Sequence, residues 1–317
     1  MFQLYKSRDF GAYFQDTFTF LKLNAKHFFK NFFIVNGIFL LILVTMWYYF
    51  YKVYEDIVIN GMLLNRDSSA ITTYFDENLV SIVIYGSLGL FLLIIVSVFN
   101  YAYVPIYFKL YDKHRGQNFD SKEIFDELKA NIAKLIIFIL ACIPVGIVTL
   151  IAAMIVGFVI SITIIGIPFL LFLGAIIALF FHATLMEYIN TDKGVFECFS
   201  YGFNMCFQKF FHAMGAIVVF FIIIFVFQMI VGIIQMVITT ILGITSLSDP
   251  NAAYQFTEEN WSFQFILLLI FQLFSYLINL TTSAISQMNQ AIIYYSLKEE
   301  KENIHTQSTI DEIGQGE

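Results

Sequence analysis

One uncharged stretch decides the fold class of this chain: residues 135–186 read LIIFILACIPVGIVTLIAAMIVGFVISITIIGIPFLLFLGAIIALFFHATLM. It contains no Asp, Glu, Lys or Arg over 52 residues, whereas a helix needs about 20 apolar residues to cross a bilayer. A single transmembrane helix is too short to account for this stretch, whereas two helices account for it. Gly166-Ile-Pro168 is the strongest helix-breaking signal in the region 157–168. We therefore expect a hairpin of two membrane helices with almost no loop, and a re-entrant turn is the alternative.

The composition of the whole chain agrees with a membrane protein. Hydrophobic residues make up 59% and charged residues 13%, and the mean hydropathy is +0.77. Soluble domains are about half apolar and a quarter charged, so this class is excluded. The net charge of -7 does not favour a nucleic-acid partner, and three cysteines are too few for a disulfide framework.

Applied to the rest of the sequence, the length criterion predicts six transmembrane helices in three hairpins. We expect an all-α, polytopic integral membrane protein with a single membrane domain, 1–297. A charged, partly disordered tail follows at 298–317. The predicted spans are about 31–51, 78–108, 135–156, 168–186, 213–241 and 263–297.

The distribution of basic residues predicts the topology. Fifteen of the 17 Lys and Arg residues lie in the N-terminal segment, in two internal segments and in the tail, which the spans place on one side. Only Lys52 and Arg66 lie on the other side. Because Lys and Arg are enriched in cytoplasmic loops, both termini are expected in the cytoplasm.

The segment before the first span has the pattern of an amphipathic helix on the membrane surface. Phe10, Phe14, Phe18 and Leu21 fall on one helical face. Similar segments precede the third and fifth spans, and Asp120-Ser-Lys-Glu123 resembles a capping box that opens one of them. Such helices hold anionic lipid, dock a protein partner at the cytoplasmic face, or only anchor the hairpins. The threefold order of surface helix and hairpin is either a true repeat or the result of three hairpins that enter from the basic side.

The sixth predicted span carries a stripe of polar side chains on one helical face. Successive members of this polar stripe are four, three, four, three and four residues apart, a spacing that places their side chains on one face of a helix. Two interpretations stand: its groups hydrogen-bond to neighbouring spans, with Gln228, Gln235 and Thr239 as available partners, or they line a cavity for a solute or a lipid headgroup. The stripe consists of Gln272, Tyr276, Asn279, Ser283, Ser286 and Gln290.

No pattern in the sequence points to catalysis. No predicted span contains an ionisable Asp, Glu, Lys or Arg, which argues against proton-coupled pumps and intramembrane metalloproteases. None of the five histidines has metal-ligand spacing with a second ligand on one helix. We expect no enzyme activity, no cofactor and no metal site.

The end of the last span carries a resemblance. Residues 287–302 read QMNQAIIYYSLKEEKE, which is similar to the end of a broad group of bacterial six-span membrane proteins. In that group the last helix closes with an aromatic pair and a charged tail, and one member is the membrane domain fused to some glycerophosphodiester phosphodiesterases. The sequence holds no phosphodiesterase catalytic domain, so the resemblance does not imply that activity. It implies a bacterial cytoplasmic membrane, and the richness in Phe, Ile, Lys and Asn resembles inner-membrane proteins of Bacteroidota.

Together these observations favour a non-catalytic membrane component that organises or assists a protein partner or binds lipid. The alternative is a transporter or channel for a small or amphiphilic solute that uses the polar stripe. An intramembrane enzyme is the least favoured class.

Overall fold

A computed structural model describes residues 2–54, 57, 69–163, 166–241 and 258–304. Within these residues the chain forms helices and no strand, which confirms the all-α class. The eight helices of this part are α1 (Phe10–Tyr54), α2 (Ala70–Lys113), α3 (Ser121–Ala130), α4 (Ile132–Ser161), α5 (Phe169–Asn190), α6 (Val195–Cys206), α7 (Phe210–Ile241) and α8 (Glu258–Glu302).

Five of the described helices are long and apolar enough to cross a membrane: most of α2, α4, α5, most of α7 and the later part of α8. A bent pair of segments within α1, Phe10–Gly37 and Phe39–Val53, counts as a sixth when it is taken as one span. The polytopic helical membrane protein is thereby confirmed.

The helices extend beyond the predicted apolar segments because their polar flanks keep the same helical backbone. Thus α2 begins at Ala70 rather than near 78, and α8 continues to Glu302, into the segment predicted as tail. The sequence also predicts an outer loop at about 249–261; its part up to 257 and the tail from 305 onward lie outside the described residues, and α8 already begins at Glu258.

The hairpin predicted from the uncharged stretch is present as α4 and α5. α4 ends at Ser161 and α5 begins at Phe169, so the turn falls where Gly166-Ile-Pro168 predicted it. Gly166 is required there, because a Cβ at this position would overlap the backbone carbonyl of Ile160.

The short helices before the spans differ in how they are built. Asp120 caps α3, and its side chain accepts hydrogen bonds from the backbone N–H groups of Lys122 and Glu123 at 3.0 Å each. In a full capping box the Glu123 side chain would also accept a hydrogen bond from the backbone N–H of Asp120. Instead it pairs with His114, and Glu123 Oε2 lies 2.9 Å from His114 Nε2. In α1 the expected surface helix continues without a break into the start of the first span, because residues 12–36 contain neither Gly nor Pro. The 48° bend of α1 lies further along the chain, after Gly37.

The chain divides into two compact units. Unit 1 comprises Met1–Val35, Phe99–Phe225 and Thr282–Glu317, and unit 2 comprises Asn36–Val98 and Val226–Thr281. All fifteen basic residues that the topology prediction places in the cytoplasm belong to unit 1. Lys52 and Arg66 belong to unit 2, so the division by contacts matches the division by charge.

Candidate functional site

The polar stripe of α8 does not share one environment. Gln272, Asn279 and Ser283 are exposed and Tyr276 is half-buried, whereas the last two members, Ser286 and Gln290, are buried. In this buried part Gln290 Nε2 donates to Ser286 Oγ at 3.4 Å. In unit 2 the ring of Tyr276 packs edge-on against Trp47, with 5.9 Å between the ring centroids.

One partner that the sequence suggested for the stripe is Gln228. Its side-chain Nε2 has no hydrogen-bond partner among the described residues, and the side chain of Thr239 lies outside them. The Gln228 amide nitrogen therefore donates no hydrogen bond to the polar stripe in the described part of the structure.

The phenylalanines of the predicted surface helix pack on α7. Phe14 and Phe18 lie against Phe220, with ring centroids 5.6 and 5.7 Å apart. Phe10 stays 44% exposed and approaches Gly215, where an added Cβ would lie 3.2 Å from the Phe10 ring.

The fully buried face of α1 is a different one, which the sequence reasoning missed. The residues at the centre of this buried face are Tyr13, Thr17, Phe20, Asn24 and Phe28. It is rotated by roughly 75° around the helix from the phenylalanine face. This face was not recognised because it includes the polar residues Thr17 and Asn24, which satisfy their own polar groups within the helix. Thr17 Oγ1 donates to the Tyr13 carbonyl at 2.8 Å, and Asn24 Nδ2 donates to the Phe20 carbonyl at 2.9 Å.

A buried ion cluster joins α5 to α8 in unit 1. The side chain of Glu187 is fully buried, and its Oε2 accepts hydrogen bonds from Tyr294 OH at 2.6 Å and Lys298 Nζ at 2.7 Å. Its Oε1 accepts from Lys193 Nζ at 2.5 Å. We call Glu187, Lys193, Tyr294 and Lys298 the Glu187 cluster. A buried carboxylate is tolerated only when it is paired and hydrogen-bonded in this way.

The Glu187 cluster continues onto α6 through Tyr201. The ammonium groups of Lys193, Lys298 and Lys301 lie 4.6, 5.8 and 4.1 Å from the centre of the Tyr201 ring, within the range of cation–π attraction. The hydrogen bond to Glu187 raises the pKa of Lys193, which therefore stays charged. Burial and the hydrogen bond to Glu302 raise the pKa of Tyr201.

The sequence held two signals for this cluster. Glu187 is the first charged residue after the uncharged stretch, and Tyr294 and Lys298 are spaced at i, i+4 on one helical face. The segment that carries the family resemblance is also the most deeply packed part of α8, since every residue from Met288 to Glu299 is buried.

The segment before α1 is fixed to the rest of unit 1. The guanidinium of Arg8 is buried and donates to the carbonyl oxygens of Gln3, Leu4 and Lys6 at 2.6 to 3.0 Å and to Asp16 at 2.8 Å. Burial lowers the pKa of Arg8, and the pairing with Asp16 opposes that shift.

Lys209, at the start of α7, connects this segment to α8. Its ammonium donates to Ser7 Oγ and the Arg8 carbonyl at 3.2 Å each and pairs with Glu300. Its φ of 44° is in the left-handed region that non-glycine residues rarely adopt.

An apolar groove lies between α4 and α5 in unit 1, and the end of α6 forms one of its walls. Its volume is about 640 Å³, which falls within the roughly 300–1,000 Å³ of small-molecule sites. Among the described residues that line it, only Thr149 has a polar side chain, and its hydroxyl donates to the Val145 carbonyl at 2.8 Å. We call this the α4–α5 groove; its walls include Val148, Ala152, Ala153, Ile176, Phe203 and Phe207.

Unit 2 contains a smaller groove of about 440 Å³ between α1 and α2. Tyr49 and Tyr85 line it, with ring centroids 5.2 Å apart, together with aliphatic side chains and Thr45.

The described histidines are not arranged as metal ligands. His27 bonds to the Tyr107 hydroxyl and the Phe119 carbonyl at 2.8 Å each, while His182 is buried against the ring of Tyr101 and neither of its nitrogens has a partner. Within the described ranges, no group of three or more His, Cys, Asp or Glu residues could hold a metal ion.

Comparison with protein-family models, with curated proteins and with solved structures finds no match for this chain.

Proposed function

We propose that this chain is a non-catalytic integral membrane protein that binds membrane lipid, with an acyl chain in the α4–α5 groove. The groove is the observation that carries the proposal. Both of its long walls belong to helices that are apolar enough to cross a membrane. Among the described lining residues, Thr149 carries the only polar side chain and its hydroxyl already donates within α4, so the groove offers a polar solute no free side-chain donor. Its chemistry therefore suits a hydrocarbon chain.

The proposal extends to location and orientation. The positive-inside rule supports cytoplasmic termini. Fifteen of the 17 Lys and Arg residues belong to unit 1, which also contains both termini. The ending of α8 resembles those of bacterial inner-membrane proteins, which supports the bacterial cytoplasmic membrane. The exposed Phe196 and Phe203 of α6 support its role as an amphipathic helix at the interface.

The charged groups of unit 1 support a non-catalytic role. Glu187 is enclosed by three donors, and Lys109 pairs with Glu127 at 2.7 Å. Burial raises the pKa of the Cys198 thiol to about 11 and that of Cys206 to about 12, so neither is an activated nucleophile at neutral pH. Among the described residues that line the α4–α5 groove, none carries a charged or thiol side chain.

The test is lipid retention. The protein is purified in a mild detergent from its host membrane, and bound lipid is measured by native mass spectrometry. Ala152→Trp fills the α4–α5 groove and is expected to abolish retention of a stoichiometric lipid. Leu150→Trp is the matched control, because Leu150 lies on the same helix, is 60% exposed and does not line the groove.

Equal retention by both variants would overturn the proposal. A protein that co-purifies in stoichiometric amount without lipid would instead favour the role of organising a partner at the cytoplasmic face.

A second function, transport of a small or amphiphilic solute, is favoured by one observation. Gln272, Asn279 and Ser283 are exposed on a helix that is apolar enough to span a membrane. Exposed polar groups at membrane depth are expected to face a wet cavity or another chain. Access of water to Asn279 therefore distinguishes transport from packing against another chain.

A further inference from the structure

Three lysines lie along the outer side of α1 in unit 1. Lys22, Lys26 and Lys30 follow each other at steps of four residues and are all exposed. At 3.6 residues per turn they point roughly 160° to 240° away from Asn24, at the centre of the buried face. They therefore form a lysine stripe on the side of α1 opposite its packing contacts.

The lysine stripe carries positive charge without a counter-charge from the protein. Within the described ranges none of its three ammonium groups makes a hydrogen bond or an ion pair, in contrast to Lys109 and Lys193, which pair with Glu127 and Glu187. On this part of α1 the side chain of Gln117 makes a neutral contact, in which its Nε2 donates to the Leu23 carbonyl at 3.0 Å. Three adjacent cations are thus available to an external anion.

The next turn of α1 is apolar and exposed. Phe33 and Ile34 are 37% and 48% exposed, and Phe29 is half-buried. A change from exposed lysines to exposed aromatic and aliphatic residues along one helix is typical of a segment that crosses from the headgroup layer into hydrocarbon. The stripe extends over about 12 Å along the axis, at 1.5 Å per residue. This length is comparable to the path of a tilted helix through the headgroup layer.

We propose that Lys22, Lys26 and Lys30 bind the phosphate headgroups of anionic phospholipids. The inference rests on the proposed lipid-binding function and adds the lipid class. Clusters of lysine beside a membrane segment attract anionic lipid by charge, and an ammonium group donates hydrogen bonds to phosphate oxygens. A zwitterionic headgroup lacks the net negative charge that the stripe would neutralise.

The experiment compares two lipids with the same acyl chains. The full-length protein in detergent is given an equimolar mixture of phosphatidylglycerol and phosphatidylcholine, and bound lipids are counted by native mass spectrometry. The wild-type protein is expected to retain more phosphatidylglycerol, and the excess should decrease as salt is added, because exposed charges are screened. Lys22→Gln/Lys26→Gln/Lys30→Gln is expected to lose that excess.

Two control variants make the result specific. Lys22→Arg/Lys26→Arg/Lys30→Arg keeps the charge and is expected to keep the preference. Lys113→Gln/Lys122→Gln/Lys129→Gln removes three other exposed lysines of unit 1 and is also expected to keep it. Because every substituted side chain is exposed, thermal stability in detergent should not change in any of the three.

The possible results separate the two proposals. Persistence of the phosphatidylglycerol excess in the triple Gln variant, or equal loss in the Lys113 control, would overturn the lysine stripe. Retention of lipid without any headgroup preference in the wild-type protein would overturn the stripe alone and leave the α4–α5 groove in place. Absence of bound lipid in the wild-type protein would overturn both, and binding of inorganic phosphate without lipid would show that the stripe is a site for free anions.

Discussion

Units 1 and 2 are built from the same kind of helix but are stabilised differently. Unit 1 contains buried directional contacts: the Glu187 cluster, the buried guanidinium of Arg8 and the hydrogen bond from Asn289 to Thr17 at 3.0 Å. In the described part of unit 2 the contacts include the ring pairs Trp47–Tyr276 and Tyr49–Tyr85. Large aliphatic side chains of unit 2, including Val80 at 70%, remain exposed.

This difference shows where sequence changes should matter. A directional network fails when one member is removed, because its partner is left buried and unsatisfied. An apolar surface that meets acyl chains gains or loses little when one aliphatic side chain changes. We therefore expect substitutions in unit 1 to be far more costly than similar ones in unit 2.

The largest expected effect is that of Glu187→Gln. The change keeps the shape but removes the charge, so Lys298, whose side chain is only 9% exposed, loses its buried counter-ion. Breaking a buried ion pair costs about 3–5 kcal/mol, and the melting temperature in detergent should decrease strongly. Asp192→Asn is the control, because that carboxylate is fully exposed and lies 3.8 Å from Lys134. Equal melting of the two variants would show that the Glu187 cluster does not stabilise unit 1.

An intermediate effect is expected at Gly202, where α6 crosses α5. An added Cβ would lie 3.0 Å from the Phe180 carbonyl oxygen and closer still to Thr184 Oγ1. Gly202→Ala should therefore destabilise the protein by about 1–3 kcal/mol, as in an overpacked core. In unit 2 a Cβ at Gly86 or Gly232 meets no atom within 4 Å.

Gly86→Ala and Gly232→Ala are the matched controls for Gly202→Ala. Both should be neutral or slightly stabilising, by up to about 1 kcal/mol, because alanine is the better helix former. Thermal melting in detergent measures all three variants. A loss of stability in the unit 2 variants as large as that of Gly202→Ala would contradict the difference between the units.

The smallest effect is expected for Asn279→Cys in unit 2, introduced together with Cys142→Ala. If the exposed part of the polar stripe meets another chain rather than water, a membrane-impermeant maleimide should not label this cysteine at pH 7. Cys198 and Cys206 give little background, because both are buried and both have raised pKa values. Lys122→Cys, an exposed site on α3, is the positive control in inverted membrane vesicles, whose outer surface is the proposed cytoplasmic face. Labelling of Asn279→Cys in intact membranes would reveal a water-filled path and favour the transport alternative.

Apolar length and helix breakers predicted much of the fold. The uncharged stretch 135–186 was sufficient to predict α4, α5 and their turn, because membrane length and the exclusion of charge are strong constraints. The continuity of α1 was not predicted, because a change from amphipathic to apolar composition does not require a break when no Gly or Pro interrupts the helix.

The contacts of the candidate sites were harder to predict than the helices. The polar stripe was recognised from its helical spacing, but spacing does not reveal that Gln290 is buried while Gln272 is exposed. The Glu187 cluster joins residues that are 111 positions apart. No local periodicity in the sequence reveals a contact between residues so far apart. From the local sequence alone, Glu187 is interpreted as the first residue of a solvent-exposed segment.

The hydrogen bond between Asn289 and Thr17 has a consequence for biosynthesis. Its two residues are 272 positions apart, so at about 5–20 residues per second the ribosome needs roughly 15 to 55 s between them. During this interval Thr17 Oγ1 donates to the Tyr13 carbonyl, and Arg8 is satisfied by the carbonyls of its own segment. Thr17 and Arg8 are therefore satisfied within the N-terminal part of the chain before the last helix is inserted and completes unit 1.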